Sequence, residues 1–342
     1  MSRLPDTPIV VITGASGGVG RATVREFTRY LNGKVKLGLI ARGTEGLEAA
    51  RREVEALGGM ALALPLDVAD ADMIEDAVKT IEQDLGPIDI WVNNAMTTVF
   101  GPFMRSNPDE FRRVTEVTYL GYVYATQAVL RRMLPRNSGT IVQVGSSIAY
   151  RGIPLQTAYS GAKHAIQGFT EALREELLHD HSSVHITMVQ LPGLNTPQFT
   201  WCKTTVREKK WQPVPPIFQP EIAAKAIVWS SHHKRREVYV GGSTLKAIWA
   251  NNCIPGFVDK YLGKTGYNSQ FYDGPQEDRP DNLWDPVKGD FGAHGPFDDR
   301  SLNRSYQLWV TMHRTLLGVA ALGVGIAGAV FAGITKKHAR DC

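Results

Sequence analysis

Short apolar runs alternate with amphipathic stretches along the first two-thirds of the chain. Ile9-Val10-Val11-Ile12 is β-branched and unbroken, as in a strand covered on both faces. A helical pattern begins after the glycines that follow, with Val24, Phe27 and Leu31 on one side. Residues 35–40 predict a second strand, 47–57 an amphipathic helix and 61–66 a third strand. A helix over about 70–85 leads to a strand at 88–92. Helices near 109–133 and 158–179 enclose a strand at 141–144, and strands at 184–190 and 237–241 close the series. This rhythm predicts an α/β fold built on a doubly wound parallel sheet.

The rhythm stops after Gly242. Residues 251–305 are rich in Gly, Pro, Asp and aromatics, with little periodicity. They predict an irregular extension, either laid over the first domain by Trp284, Phe291 and Phe297 or loose. Thr315 to Thr335 carries no charge over 21 residues, long enough as a helix to cross ~30 Å of hydrocarbon. Its small residues recur four apart (Gly325/Ala329, Gly328/Ala332, Ala329/Gly333), which suits close helix contact in a membrane. The pattern predicts a single-pass C-terminal anchor, with a buried oligomerisation helix as the competing reading. The expected organisation is a domain over 1–250, an irregular extension over 251–312 and a hydrophobic helix with a basic tail over 313–342.

Composition narrows the classes. A net charge of +4 over 342 residues, with no long basic block, argues against a nucleic-acid partner. Three cysteines far apart, without C-x-x-C, predict free thiols in a reducing compartment. No signal-like segment precedes Ile9, so the first domain is expected to face the cytosol from the membrane. The nine histidines show no ligand spacing, and no metal site is expected.

The candidate chemistry begins at the first strand–helix junction, Thr13-Gly14-Ala15-Ser16-Gly17-Gly18-Val19-Gly20. Gly14 allows the tight turn, Gly18 the approach of a pyrophosphate, and Gly20 close packing of helix on strand. A flexible glycine loop is the competing reading. After the second strand no acid stands ready for a ribose 2′-hydroxyl; Arg42 sits beside the vacant place and could pair with a 2′-phosphate, which favours NADP(H) over NAD(H). A solvated loop arginine is the competing reading. Asp67-Val68, after the third strand, could accept from an adenine amino group. Tyr159 and Lys163 lie four apart on a predicted helix and share a face. An ammonium beside a phenol lowers a pKa that starts near ~10, which suits proton transfer to a carbonyl oxygen. Ser146 could bond the same oxygen. The alternative is a surface lysine and a half-buried tyrosine on an amphipathic helix.

Together, T-G-x-x-x-G-x-G at Thr13–Gly20, D-V at Asp67, N-N-A at Asn93–Ala95, Ser146, Y-x-x-x-K at Tyr159 and P-G-x-x-T at Pro192–Thr196 resemble the short-chain dehydrogenase/reductase family. The resemblance spans about residues 8–242 and implies a three-layer Rossmann fold. It implies Tyr159 as general acid/base, Lys163 on the nicotinamide ribose, and Ser146 on the substrate oxygen. Pro192, Gly193 and Thr196 would meet the nicotinamide end, while Asn93 and Ala95 would line the cofactor cleft. Two positions depart from the family pattern. Thr118 stands where an active-site asparagine is usual, and Met96 where a glycine is usual. Relatives commonly pair the 109–133 and 158–179 helices, implying a homodimer or homotetramer.

The large apolar residues Met96, Val99, Phe100, Phe103 and Met104, with Phe199, Trp201, Trp211 and Phe218, suggest an apolar carbonyl or alcohol substrate. Core packing under a loop explains them equally well. Lys203, Arg207, Lys209 and Lys210 could meet an acidic head group or an anionic membrane. The leading expectation is a membrane-tethered NADP(H)-dependent oxidoreductase. Its rival is a non-catalytic NADP(H)-binding sensor or scaffold; an epimerase or dehydratase ranks below both.

Overall fold

A computed structural model describes residues 5–315. The apolar runs form seven parallel strands: β1 (Ile9–Thr13), β2 (Lys36–Ala41), β3 (Met60–Pro65), β4 (Ile90–Asn93), β5 (Thr140–Val144), β6 (His185–Gln190) and β7 (Glu237–Tyr239). Their order is β7-β6-β5-β4-β1-β2-β3. β1 thus lies between β2 and β4, and the winding reverses there. A crevice opens beyond the carboxyl ends of the strands at such a point. Gly14, Arg42, Asp67, Asn94, Ser146 and Pro192 all follow strand ends.

Helices cover both faces. On one side α1 (Gly18–Tyr30), α2 (Thr44–Ala56) and α7 (Pro220–His232) bury Val24, Phe27, Leu47, Val54 and Ile227 against the sheet. On the other, α3 (Ala71–Asp84), α5 (Gly121–Met133) and α6 (Thr157–His179) bury Ile74, Ile81, Val129, Met133 and Leu177. Asp70 caps α3 by accepting from the Asp72 and Met73 amides, and α4 (Pro108–Thr115) opens on an Asn107/Glu110 capping box.

Three stretches differ from expectation. The 109–133 helix is broken into α4 and α5 by a π turn at Glu116–Leu120. α7 was not anticipated. Residues beyond 242 form α8 (Gly242–Cys253) and α9 (Pro255–Thr265), so the expected break at 250 falls inside a helix. The irregular chain that follows is laid over the domain by Leu283, Ala293 and Phe297, all buried, while Trp284 is exposed. Another helix starts at 306 and packs Leu308 on the main core. The charge-free stretch expected to anchor the chain lies, beyond Thr315, outside the described residues; among those described, no helix is long and apolar enough to cross a membrane.

Candidate active site

The glycine turn leaves no room for side chains where backbone must come close. Gly14 has φ +68°, and a Cβ there would stand 2.9 Å from the Ala95 Cα. A Cβ at Gly20 would stand 2.0 Å from the Gly14 carbonyl oxygen. Thr13 is buried and ties β1 to the β4 loop, its hydroxyl oxygen accepting from the Asn94 and Ala95 amides at 2.9 and 3.1 Å. The cleft beyond has a volume of about 190 Å³ and is lined by Gly14, Ser16–Val19, Arg42, Asp67, Val68, Asn94, Ala95, Met96 and Thr196.

One residue expected on the cleft is elsewhere, and a second is there but engaged. Asn93 turns away: its amide nitrogen donates to Thr126 Oγ1 (3.0 Å) and Gln143 Oε1 (2.9 Å), and its oxygen accepts from Trp91 Nε1. Asn94 takes its place on the wall. Arg42 is in the cleft, but its guanidinium donates to the carbonyls of Asn282, Leu283 and Trp284, the last at 2.7 Å. It is neither solvated nor wholly free for a phosphate. Asp67 pairs with Arg113 and accepts from the Ala69 amide. The extension supplies further wall at Pro286, Val287, Gly289 and Phe291, which sequence patterning did not reveal.

Ser146, Tyr159 and Lys163 meet in a second, adjoining cavity of about 500 Å³. Ser146 caps the turn after β5, its Oγ accepting from the Ile148 amide at 3.3 Å. One turn of α6 separates Tyr159 from Lys163, whose Nζ lies 5.6 Å from the phenol ring centroid. That amine donates to the Val144 carbonyl (2.7 Å) and to the Tyr122 hydroxyl (3.3 Å). Tyr122, a buried partner from α5, carried no signal in the sequence beyond its helical register.

The electrostatics depart from the simple picture of an acidified phenol. Burial pushes Tyr159 well above its usual value, and the Ser146 hydroxyl is the group that draws it back. Burial also lowers Lys163 to about 7, so near neutrality it is only partly an ammonium. Desolvation outweighs the expected pull of amine on phenol.

Thr118 does not join this group. It is fully buried, accepts from the Thr97 amide (3.0 Å) and donates to the Thr97 carbonyl (2.8 Å), with no place on either cavity wall. Met96 lines both cavities, as do Val19, Asn94 and Thr196. Pro192 and Gly193 line the larger one; a Cβ on Gly193 would meet the Val214 carbonyl oxygen at 2.6 Å.

The aromatic residues divide. Phe199 borders the larger cavity and Trp201 the cleft, but Phe100 and Trp211 stack on each other (4.4 Å) in a separate core, and Phe218 is buried in the main one. Val99 is buried, whereas Phe103 and Met104 are exposed away from both cavities. Of the four basic residues nearby, Lys203 pairs with Glu110, Arg207 with Asp278 and Lys210 with Glu277, which leaves little free charge for a head group.

The model of the short chain dehydrogenase family matches residues 8–205. The "Uncharacterized oxidoreductase YxnA" of Bacillus subtilis is 28% identical over 300 residues, covering 87% of this chain and 82% of its own. The 3-dehydrosphinganine reductase of Danio rerio is 34% identical over 226 residues, 64% of this chain and 67% of its own. Among solved structures, an alcohol dehydrogenase from Thermococcus sibiricus complexed with 5-hydroxy-NADP superposes with a TM-score of 0.58 at 25% identity, covering 68% of this chain and 96% of that one. A metagenomic short-chain oxidoreductase in complex with NADP gives 0.57 at 25% identity, with 69% and 97% covered.

Proposed function

The chain belongs to the short-chain dehydrogenase family, and from that premise we propose that it is an NADP(H)-dependent oxidoreductase interconverting a carbonyl and an alcohol on an apolar, lipid-like substrate. The observation that carries this reading is the convergence of Ser146, Tyr159 and Lys163 on one cavity that joins the glycine-turn cleft at Val19, Asn94, Met96 and Thr196. The glycine turn fits a dinucleotide, because the positions where a pyrophosphate must approach exclude a Cβ. When bound, the nicotinamide supplies or takes up the hydride.

The chain's own residues handle the proton. Tyr159 gives it to the substrate oxygen or removes it, and Ser146 holds that oxygen beside the phenol. Lys163, fixed by the Val144 carbonyl and the Tyr122 hydroxyl, takes or releases a proton near neutral pH. The acid-free end of β2, with Arg42 in the cleft, supports NADP(H), as do the NADP complexes of the structural neighbours. Ile148, Leu191, Phe199, Ile254, Phe257 and Leu262 around the cavity support an apolar substrate. The names of relatives that reduce 3-ketodihydrosphingosine point the same way. Attachment to a membrane through residues 315–335 belongs to the same proposal and rests on the sequence; fractionation of the full chain against one ending before Thr311 tests it.

The central test is NADPH oxidation across ketones of rising chain length, with Tyr159→Phe as control. Turnover should rise with chain length and fall by about 10²–10⁴-fold in the variant, with NADPH affinity nearly unchanged. Activity that survives the substitution refutes the assignment of Tyr159, and a preference for small polar carbonyls refutes the apolar substrate.

A further inference from the structure

The irregular extension crosses the nucleotide cleft in an unusual way. Its two ends are fixed. Leu283 is fully buried, its carbonyl accepting from Arg113 Nε at 3.1 Å, and the Asn282 amide donates to the Trp201 carbonyl at 2.9 Å. On the far side Ala293 is buried between Ala22 and Ala224, and Phe297 packs edge-on against Phe199. There too, the Asn195 side chain accepts from the Phe297 amide and donates to Asp298. Between these anchors no residue from 284 to 292 is buried, and Gly289 and Gly292 both have positive φ.

Arg42 holds the start of the span, donating to the Trp284 carbonyl at 2.7 Å, and beyond it the span touches the cleft at a few points. The Gly18 amide, at the start of α1, donates to the Gly292 carbonyl at 3.0 Å. Phe291 meets the Trp201 ring edge-on, with centroids 4.8 Å apart. Asp290 lies 3.3 Å from Arg21, whose main partner is Glu53 at 2.9 Å. An amide has one hydrogen to give, and a phosphate oxygen and a carbonyl oxygen both need it. The two acceptors compete for the Gly18 amide. The cleft under the span, at about 190 Å³, is also below the ~300 Å³ at which small-ligand sites begin.

We propose that residues 284–292 are a strap belonging to the nucleotide site, which lifts between its anchors to admit the adenosine half of the dinucleotide and whose Gly292 carbonyl yields the Gly18 amide to a phosphate. The inference rests on the dinucleotide-binding reading above. It makes strap opening the step that limits cofactor entry, and it assigns nucleotide-site residues to a segment outside the region matched by the family model.

Gly43 and Pro286 offer a direct test. A Cβ at Gly43 would lie 3.7 Å from the Pro286 Cβ, within the ~3.5–4.5 Å of a disulfide. The Gly43→Cys/Pro286→Cys double variant should pin the strap when oxidised and free it when reduced. By stopped-flow fluorescence, NADPH association should be at least ~30-fold slower in the oxidised form than in the reduced form of the same double variant. Equal rates in the two states, with the bridge confirmed by mass spectrometry, overturn the strap. Independently, Phe291→Ala should loosen the span, raising NADPH association and dissociation rates together by about 3–10-fold; unchanged rates overturn it also. A wild-type chain that binds neither NADPH nor NADH overturns the functional reading and the strap with it.

Discussion

Lys163 is buried with two hydrogen-bond acceptors and no carboxylate partner among the described residues, and Lys163→Met isolates what that costs. Its pKa falls from 10.5 to about 7 through desolvation. The sign follows from proton uptake. Between those two values the unfolded chain holds a proton that the folded chain gives up, so stability rises with pH across that window. The penalty is full below pH 7, at about 5 kcal/mol, and is relieved only as pH climbs toward 10.5. From pH 7 to pH 9 the wild type should gain about 2 kcal/mol from this group alone. Methionine fills similar volume and cannot titrate. It leaves the Val144 carbonyl with only the Tyr122 hydroxyl at 3.1 Å, an offset that does not depend on pH. Urea unfolding of both proteins at pH 7, 8 and 9 measures the effect. The variant-minus-wild-type difference should shrink by about 2 kcal/mol across the series. A constant difference would refute the reasoning, because it would mean that the amine is solvated or charge-paired when folded.

Three further outcomes follow from other parts of the molecule. Gly20→Ala forces a carbon against the Gly14 carbonyl oxygen, so NADPH binding by fluorescence titration should weaken at least ~10-fold as α1 is pushed off β1. Arg42→Ala should raise the Kd for NADPH by about 10–100-fold while changing that for NADH less than threefold; equal losses would remove Arg42 from 2′-phosphate recognition. Leu283→Ala empties a fully buried site beneath the strap and should cost about 2–5 kcal/mol in chemical denaturation.

The sheet was legible because each strand announces itself locally, by β-branched runs such as Ile9–Ile12 and by the glycines or acids that end them. The glycine turn was legible for the same reason. Asn93 and Asn94 show where this resolution ends. Successive side chains at a strand end point to opposite faces, and a dipeptide does not say which one meets the cleft. Thr118 was misplaced because it sits within a π turn and its role depends on Thr97, 21 residues away. α7 did carry a signal, a proline at its first turn and Ile222, Ala223, Ala226 and Ile227 on one face. Glycines at 242, 256 and 263, with Pro255, disguised α8 and α9. The spacing of Tyr159 and Lys163 was plain in one dimension, but the burial that sets both their proton affinities is a property of the packed cavity. The strap has no periodicity, and its position is set by side chains such as Arg42 and Arg113 that lie far away in the chain.

The helix Pro255–Thr265 lines the larger cavity with Phe257, Val258, Tyr261 and Leu262, yet none of its residues is buried. The rest of that hollow is α8, the 213–215 loop, sheet ends and α6, and the last two belong to the main cores and are costly to deform. Bulky guests would therefore be accommodated by displacing this one helix outward, at the price of a few marginal contacts. Selection among them then becomes a question of how readily a pliant flap yields, so that stiffening it, without touching a single reacting group, would narrow the range of molecules admitted.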